Sequence, residues 1–274
     1  MPEEERNRFD FYGAQFARFA GELAREMRRE VYGVDIGQQG WRSMAEQALI
    51  AELLRCGPGR HVLDIACGSG GPSLALVERS GCRLTGIDVE AAAIAYAEAE
   101  VASRDLAGRA SFVARDCGDR LPFADGAFDA ILCVDAINHL ADRFATLREW
   151  ARLLDRGGRL LFIDPLVLTG AVSQDELAIR ASLGFYLVVP PGLNETAIAA
   201  AGLSLLRCED RTAAEAEIAG RWHDARARRR DRLEKEEGAA FFDKRQHFLA
   251  TTAELAGSGR LSRFLYAAEK PGSR

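Results

Sequence analysis

Between residues 60 and 164, short runs rich in apolar and β-branched residues alternate with longer helix-forming ones, and that alternation leaves the chain few folds to adopt. The short runs fall at 60–66, 82–88, 110–115, 128–134 and 158–164, with helical segments at 72–80, 90–104 and 143–154. Strands joined by helical crossovers pair in parallel through right-handed connections, and helices cover both faces of the sheet. Ligands on such sheets bind outside the carboxyl ends of the strands. Asp64, Asp88, Asp116 and Asp135 each fall at or near such an end, so four acids are expected along one rim.

The first strand runs into a glycine turn, Val62-Leu63-Asp64-Ile65-Ala66-Cys67-Gly68-Ser69-Gly70-Gly71, and Pro72 then opens a helix. Proline suits a first helical turn, where the amide hydrogen has no intrahelical partner to lose. Glycine lets a ligand approach the backbone closely. The second strand ends on Asp88, where the hydroxyls of a ribose would find an acceptor. A dinucleotide fits poorly, because Gly68-Ser69-Gly70-Gly71 continues as Pro72-Ser73 and the third glycine of G-x-G-x-x-G is missing. No Gly-Lys-Ser/Thr is present for a triphosphate. Asp64 would repel a pyrophosphate at the adjacent helix start; it suits a ligand carrying an ammonium and a sulfonium.

The pattern D-x-x-C-G-x-G formed by Asp64, Cys67, Gly68 and Gly70 resembles motif I of class I S-adenosylmethionine-dependent methyltransferases. The resemblance continues, in the family's order, through Asp88, Asp116-Cys117, Phe128-Asp129-Ala130-Ile131-Leu132 and Leu154-Asp155-Arg156-Gly157-Gly158-Arg159-Leu160. It implies an α/β, Rossmann-like, doubly wound sheet of seven mainly parallel strands whose last strand is antiparallel. Leu203–Cys208 and Leu261–Ala267 are the candidates for the closing hairpin. The cofactor it implies is S-adenosyl-L-methionine, with S-adenosyl-L-homocysteine as product. In that reading the Gly68–Gly70 backbone faces the methionine part and Asp64 serves its ammonium. Asp88 accepts both ribose hydroxyls, Asp116 the adenine amine, and the Cys117 amide meets a ring nitrogen. Ala66, Val89, Val134 and Gln38 complete the cofactor lining.

After the fourth strand comes Asp135-Ala136-Ile137-Asn138-His139-Leu140, where a helical turn would set Asp135 and His139 on one face. An imidazole titrates near neutrality and a neighbouring carboxylate raises its basicity, which suits a catalytic base; a histidine packing at a helix start is the alternative. This block resembles that of amine N-methyltransferases of the phosphoethanolamine and sarcosine type. The resemblance implies that Asp135 meets the amine and His139 assists its deprotonation. Pro165 stands where the phosphobase enzymes carry an aromatic residue, and no Arg-x-Tyr pair occurs in 176–190, so a phosphate on the acceptor is not implied. O-methylation of a phenol or carboxylate is the nearest alternative. An NAD-dependent oxidoreductase is the rival from another class, disfavoured by the missing glycine and by Asp64.

The remainder is expected to cap this core. Residues 1–58 form an N-terminal helical cap, 59–210 and 259–270 the core, and 166–201 and 211–258 helical insertions over the substrate. Phe9, Tyr12, Phe16, Phe19 and Leu23 recur at helical spacing within a helix over 3–30. Residues 33–40, Gly-Val-Asp-Ile-Gly-Gln-Gln-Gly, either close over the cofactor or make a surface turn; Trp41 opens a helix to Arg55. Tyr12, Phe16, Tyr186 and Trp222, with Phe9, Phe185, Phe241 and Phe242, would roof an acceptor pocket suited to cationic amines or flat rings, unless they are lid core. The basic run from Arg226 to Arg232 is interleaved with acids and reads as a salt-bridged helix face.

The net charge of −5 speaks against nucleic acid held through phosphates, leaving a small molecule as partner of a monomer or homodimer. Six scattered cysteines form no C-x-x-C pair, so no metal site is expected. The charged amino terminus and the lack of a membrane-length apolar run point to a reducing, cytoplasmic location.

Overall fold

The computed structural model describes residues 16, 18–118, 120–184 and 186–272, so Phe9, Tyr12, Phe185 and half of the expected helix over 3–30 lie outside the described residues. Seven strands make one sheet: β1 (His61–Ile65), β2 (Arg83–Asp88), β3 (Ala110–Ala114), β4 (Phe128–Val134), β5 (Leu154–Leu168), β6 (Ser204–Asp210) and β7 (Leu261–Glu269). Their order is β3-β2-β1-β4-β5-β7-β6. β1 to β5 run parallel, while β7 lies antiparallel between β5 and β6. The expected closing hairpin is thus present, its two strands separated in sequence by helices.

Alternation along the strands feeds two cores. Leu63, Ile65, Ile131 and Phe162 face α5 (Arg143–Leu153), which contributes the fully buried Trp150, and α7 (Leu193–Ala200), with Ala197 and Ile198. Val62, Leu132, Leu161 and Leu265 face α2 (Met44–Leu53), α3 (Gly71–Ser80) and α4 (Ala91–Ser103). Helix α1 (Glu22–Tyr32) precedes these and stops at Gly33, whose φ of 79° places its N–H on the Arg29 carbonyl.

Two elements differ from their expected bounds for identifiable reasons. α2 opens at Met44 instead of Trp41, because Ser43 and Glu46 form a reciprocal capping box. β5 runs past its expected end to Leu168, with a register shift between Asp164 and Val167. Pro165 sits inside that irregularity, where a residue without an amide hydrogen costs no ladder bond.

The helical insertion between β6 and β7 comprises α8 (Thr212–Ala227), α9 (Arg230–Glu237) and α10 (Ala239–Gly257), and α6 (Gln174–Arg180) belongs to the earlier one. The basic run is salt-bridged, but largely across to α1: Arg229 pairs with Glu30 at 2.7 Å and Arg232 with Glu26 at 3.0 Å. Exposed pairs of this kind contribute about 0–1 kcal/mol each. The apolar cluster of Leu23, Met27, Leu233 and Phe242 therefore carries more of the seam's stability.

At the middle of the sheet Gly86 admits no side chain, since a Cβ there would lie 2.3 Å from the Phe112 ring. Overpacking of this kind costs about 1–3 kcal/mol. Gly86→Ala is expected to lower the unfolding free energy in urea by about that amount, and Phe112→Leu in the same chain to recover part of it. Unchanged stability in the single variant would show that the Phe112 ring turns aside freely.

Candidate functional site

The carboxyl ends of β3, β2, β1 and β4 lie side by side, and the chain leaves β1 through a strained reversal. Ala66 has a positive φ of 56°, then Gly68 and Gly70 follow at 57° and 73°. The Cys67 amide donates to the Ile87 carbonyl at 3.0 Å, so the turn begins by extending the β1–β2 pairing. Gly70 is sealed from below, because a Cβ would fall 2.8 Å from both Ala97 and the Phe112 ring. Gly71 is sealed from above: a Cβ would lie 2.0 Å from the Ile36 carbonyl oxygen. Residues 33–40 therefore close onto the glycine turn. Ser69 Oγ donates to the Gly37 carbonyl at 3.3 Å, and Arg28 holds Asp35 at 2.7 Å beneath the loop. Gln38 is buried and its amide is spent inside the loop, accepting from the Ile36 N–H and donating to the Val34 carbonyl.

Asp88 ties β2 to the same turn. Its Oδ2 accepts the Gly68 N–H at 2.8 Å and its Oδ1 the Glu90 N–H at 2.9 Å, while 8% of the residue stays exposed. Asp64 is more deeply buried and accepts the Ser73 hydroxyl at 2.5 Å. Burial raises both carboxyls above the usual range, opposed at Asp64 by Arg42 and at Asp88 by the backbone N–H groups. On β3's side Asp116 is exposed and caps its own turn through the Gly118 N–H, with Cys117 half-buried beside it. A cavity of about 330 Å³ opens there between Cys117, Gly118, Arg120 and α5. Val89 is exposed at the end of β2 and Val134 half-buried at the end of β4. Asp64, Ala66, Gly68, Gly70, Asp88, Val89, Asp116, Cys117 and Val134 thus share one rim.

Past β4 the geometry departs from expectation. Asp135 takes a left-handed φ of 56° and stays outside a 3-10 turn, Ile137–His139, so Asp135 and His139 do not share an α-helical face. Both Asp135 oxygens are engaged: Oδ1 accepts from Arg263 Nε at 2.7 Å, and Oδ2 from Arg263 Nη2 at 3.2 Å and from the Trp41 N–H at 3.1 Å. Arg263 is fully buried on β7, and its Nη1 reaches Glu46 at 2.5 Å. The half-buried His139 ring lies 4.9 Å from the ring of Tyr186. The buried guanidinium of Arg180 also lies near Tyr186, 5.4 Å from that ring and 4.9 Å from Phe248. Arg180 donates to Glu215 Oε1 at 3.0 Å. Burial pushes the Glu215 carboxyl up to about 7, against the pull of Arg180 and Arg263.

Of the four residues expected to roof the acceptor, Phe16, Tyr186 and Trp222 fall among the described residues. Tyr12 lies outside the described residues. Phe16 rests on the glycine turn, its ring 3.5 Å from where a Gly68 Cβ would stand. Trp222 serves the lid seam, donating from Nε1 to the Tyr32 hydroxyl at 3.0 Å, which in turn donates to the Gly40 carbonyl. Tyr186 adjoins His139. Sequence reasoning passed over Arg263, Glu46, Arg180 and Glu215. Arg263 was detectable as a lone charge between Leu261 and Leu265 on one strand face, and Glu46 as the fourth residue of Ser43-Met44-Ala45-Glu46. The Arg180–Glu215 pair spans 35 residues and leaves no local signal.

Residues 63–162 match the sequence family described as "Methyltransferase domain". Over 142 residues the chain is 36% identical to Methyltransferase GfsG of Streptomyces halstedii, covering 52% of this chain and 49% of that protein. It is 35% identical over 136 residues to O-methyltransferase resE of Aspergillus sclerotiorum, covering 48% and 51%. The chain thus spans about half the length of the curated relatives it matches. Other relatives carry C- and N-methyltransferase names, such as UbiE of Geotalea daltonii and ajmaline N-methyltransferase of Rauvolfia serpentina. Among solved structures, the cyclopropane synthase MmaA2 of Mycobacterium tuberculosis superimposes with a TM-score of 0.81 at 15% identity, covering 96% of this chain and 98% of that one. The [4+2]-cyclase SpnF shares the fold too, with a TM-score of 0.73 at 22% identity over 95% and 96% of the two chains.

The raised acids give the site a pH signature. Glu215 is held above its ordinary 4.5, so its stabilising contribution is complete below that pH and is lost as the pH rises through about 7. Asp64 and Asp88 act in the same sense. The Tm of the wild-type protein is therefore expected to fall between about pH 5 and 8, and that of Glu215→Gln to fall less steeply. Parallel profiles would mean that the folded protein does not hold this proton.

Proposed function

A methyltransferase domain occupies residues 63–162 on a class I Rossmann-like sheet, and from that premise we propose that the protein moves the methyl group of S-adenosylmethionine to a small molecule, preferably to an amine nitrogen. The observation that carries this reading is the Asp88–Gly68 tether. It holds a partly exposed carboxylate beside a turn whose glycines exclude side chains on both sides. The residues fit the cofactor chemically. Asp88 keeps acceptor capacity for the ribose hydroxyls, and buried Asp64 gains from a nearby ammonium. Asp116 and Cys117 would take the adenine edge, while residues 33–40 close the methionine end. Bound S-adenosylmethionine supplies an already electrophilic methyl, so the protein's task is to place the nucleophile and exclude water, worth on the order of 7–11 kcal/mol.

His139 is the base in this reading, since a nucleophile that arrives protonated must lose that proton. O-methylation is the second reading, favoured by relatives named as O-methyltransferases, and His139 serves there equally. An oxidoreductase finds no support in the methyltransferase match or in the antiparallel β7. The fold alone does not choose the reaction, as the cyclase on the same fold shows. The reading takes the protein to be a monomer or homodimer working in the reducing cytoplasm, with its cysteines as thiols. No helix among the described residues is long and apolar enough to cross a membrane.

Calorimetry separates the classes: S-adenosylhomocysteine binds and NADH does not, and the converse would overturn the reading. A panel of amines and phenols with labelled cofactor then tests the acceptor atom. Asp88→Ala is expected to weaken S-adenosylhomocysteine binding by about 1.5–3 kcal/mol. His139→Ala should lower turnover by about 10²–10⁴-fold and leave that binding intact. Undiminished turnover at every pH would remove His139 as the base.

A further inference from the structure

Six cysteines are free thiols, and two of them meet. Cys56 follows the last turn of α2 and Cys82 stands just before β2, so both lie at the amino ends of the parallel strands, away from the acid rim. Cys56 donates a hydrogen bond from its thiol to the Cys82 sulfur. Cys82 is fully buried in the core, and the half-buried Cys56 packs against it. The backbone pins each segment on either side of its thiol. Arg55 takes a left-handed φ of 53°, and the Cys56 N–H returns to the Ala51 carbonyl at 3.0 Å. Gly81 ends α3 so close to the other segment that a Cβ would stand 3.3 Å from Pro58. The Arg83 N–H then reaches the Arg60 carbonyl at 2.8 Å.

The chemistry of this pair differs from that of the other four cysteines. Burial pushes the thiols of Cys67, Cys117, Cys133 and Cys208 up, away from the reactive thiolate form. At the pair, the hydrogen bond from Cys56 holds the Cys82 thiol down to about 7, with the Ser80 hydroxyl and Arg109 acting in the same sense. Arg60 faces Cys56 and favours negative charge there too. One proton is thus shared by two sulfurs, and the charge belongs to the pair. A partly exposed thiol in electropositive surroundings, with a second thiol in contact, is the arrangement in which oxidation ends in a disulfide.

We propose that Cys56 and Cys82 form a reversible disulfide when the protein meets hydrogen peroxide, Cys56 being oxidised first and Cys82 resolving it. With the shared proton on Cys82, the Cys56 sulfur attacks one peroxide oxygen; the O–O bond breaks and hydroxide leaves, giving a sulfenic acid. That hydroxide takes the Cys82 proton and becomes water. The Cys82 sulfur then attacks Cys56, the S–O bond breaks, and a second hydroxide leaves, to be protonated by solvent with the proton the pair had released. Two thiols are oxidised to one disulfide, and the peroxide is reduced to two waters. The bond ties α2 to β2 at the foot of the sheet, so the inference stands apart from the methyl-transfer reading.

Peptide mapping tests it. Native protein is treated with hydrogen peroxide, unfolded with N-ethylmaleimide to block the remaining thiols, and digested with trypsin without reductant. Trypsin releases Cys56 within residues 56–60 and Cys82 within 80–83. Mass spectrometry is expected to find these two peptides joined, at least about ten-fold above any other pairing of the six cysteines. Dithiothreitol added before blocking should return both as thiols. Recovery of both as blocked thiols after peroxide, another pairing in excess, or Cys56 as sulfinic acid beside an unreacted Cys82 overturns the proposal. In Cys82→Ala the resolving sulfur is gone, and the same treatment should carry Cys56 on to sulfinic acid. A Cys56 that stays a thiol in that variant refutes its place as the sulfur oxidised first. Should Cys82→Ala fail to fold, the mapping of the wild type decides.

Discussion

A guanidinium without access to water has to find its partners in the protein, and Arg263 finds them in three separate parts of the chain. Its side chain joins Asp135 at the end of β4 to Glu46 in α2, and its backbone holds the first turn of α8. Replacing both members of a buried pair by apolar groups is often tolerated, whereas removing one member typically costs about 3–5 kcal/mol. The cap, the rim and the lid are therefore coupled through one residue. The left-handed Asp135 depends on it as well, since the conformation is unfavourable for a non-glycine residue unless its surroundings hold it.

The glycine turn imposes a second constraint, of contact and not of charge. Gly70 and Gly71 are closed by neighbours on opposite sides, so the loop of residues 33–40 and the helix α4 approach the same short stretch of backbone. Asp88 then fixes the turn's first amide. A ligand on this rim would meet backbone and two buried acids held by the fold, and little reorganisation would be needed to bind it.

Legibility in the sequence followed the range of the forces involved. Strands and helices of the core were readable because apolar alternation and helical periodicity are local, and β1 to β4 fall within two residues of expectation. The rim acids were readable because a strand's end and a glycine turn mark where a ligand approaches. Residues at the seam were not. Asp135 was read as a neighbour of His139 on a helix, and the structure gives it to Arg263, some 128 residues away, because burying that guanidinium outweighs a local turn preference. The amide of Gln38 closes its own loop, a contact that polar loop residues often make and that no motif announces. The indole N–H of Trp222 donates to the Tyr32 hydroxyl, a partner 190 residues away that leaves no local signal.

These two regions also divide the similarity to other proteins. The methyltransferase match ends at residue 162, so it contains the glycine turn, the rim acids and His139 but stops short of Arg180, Glu215 and Arg263. Relatives that match 38–48% of this chain carry O-, C- and N-methyltransferase names.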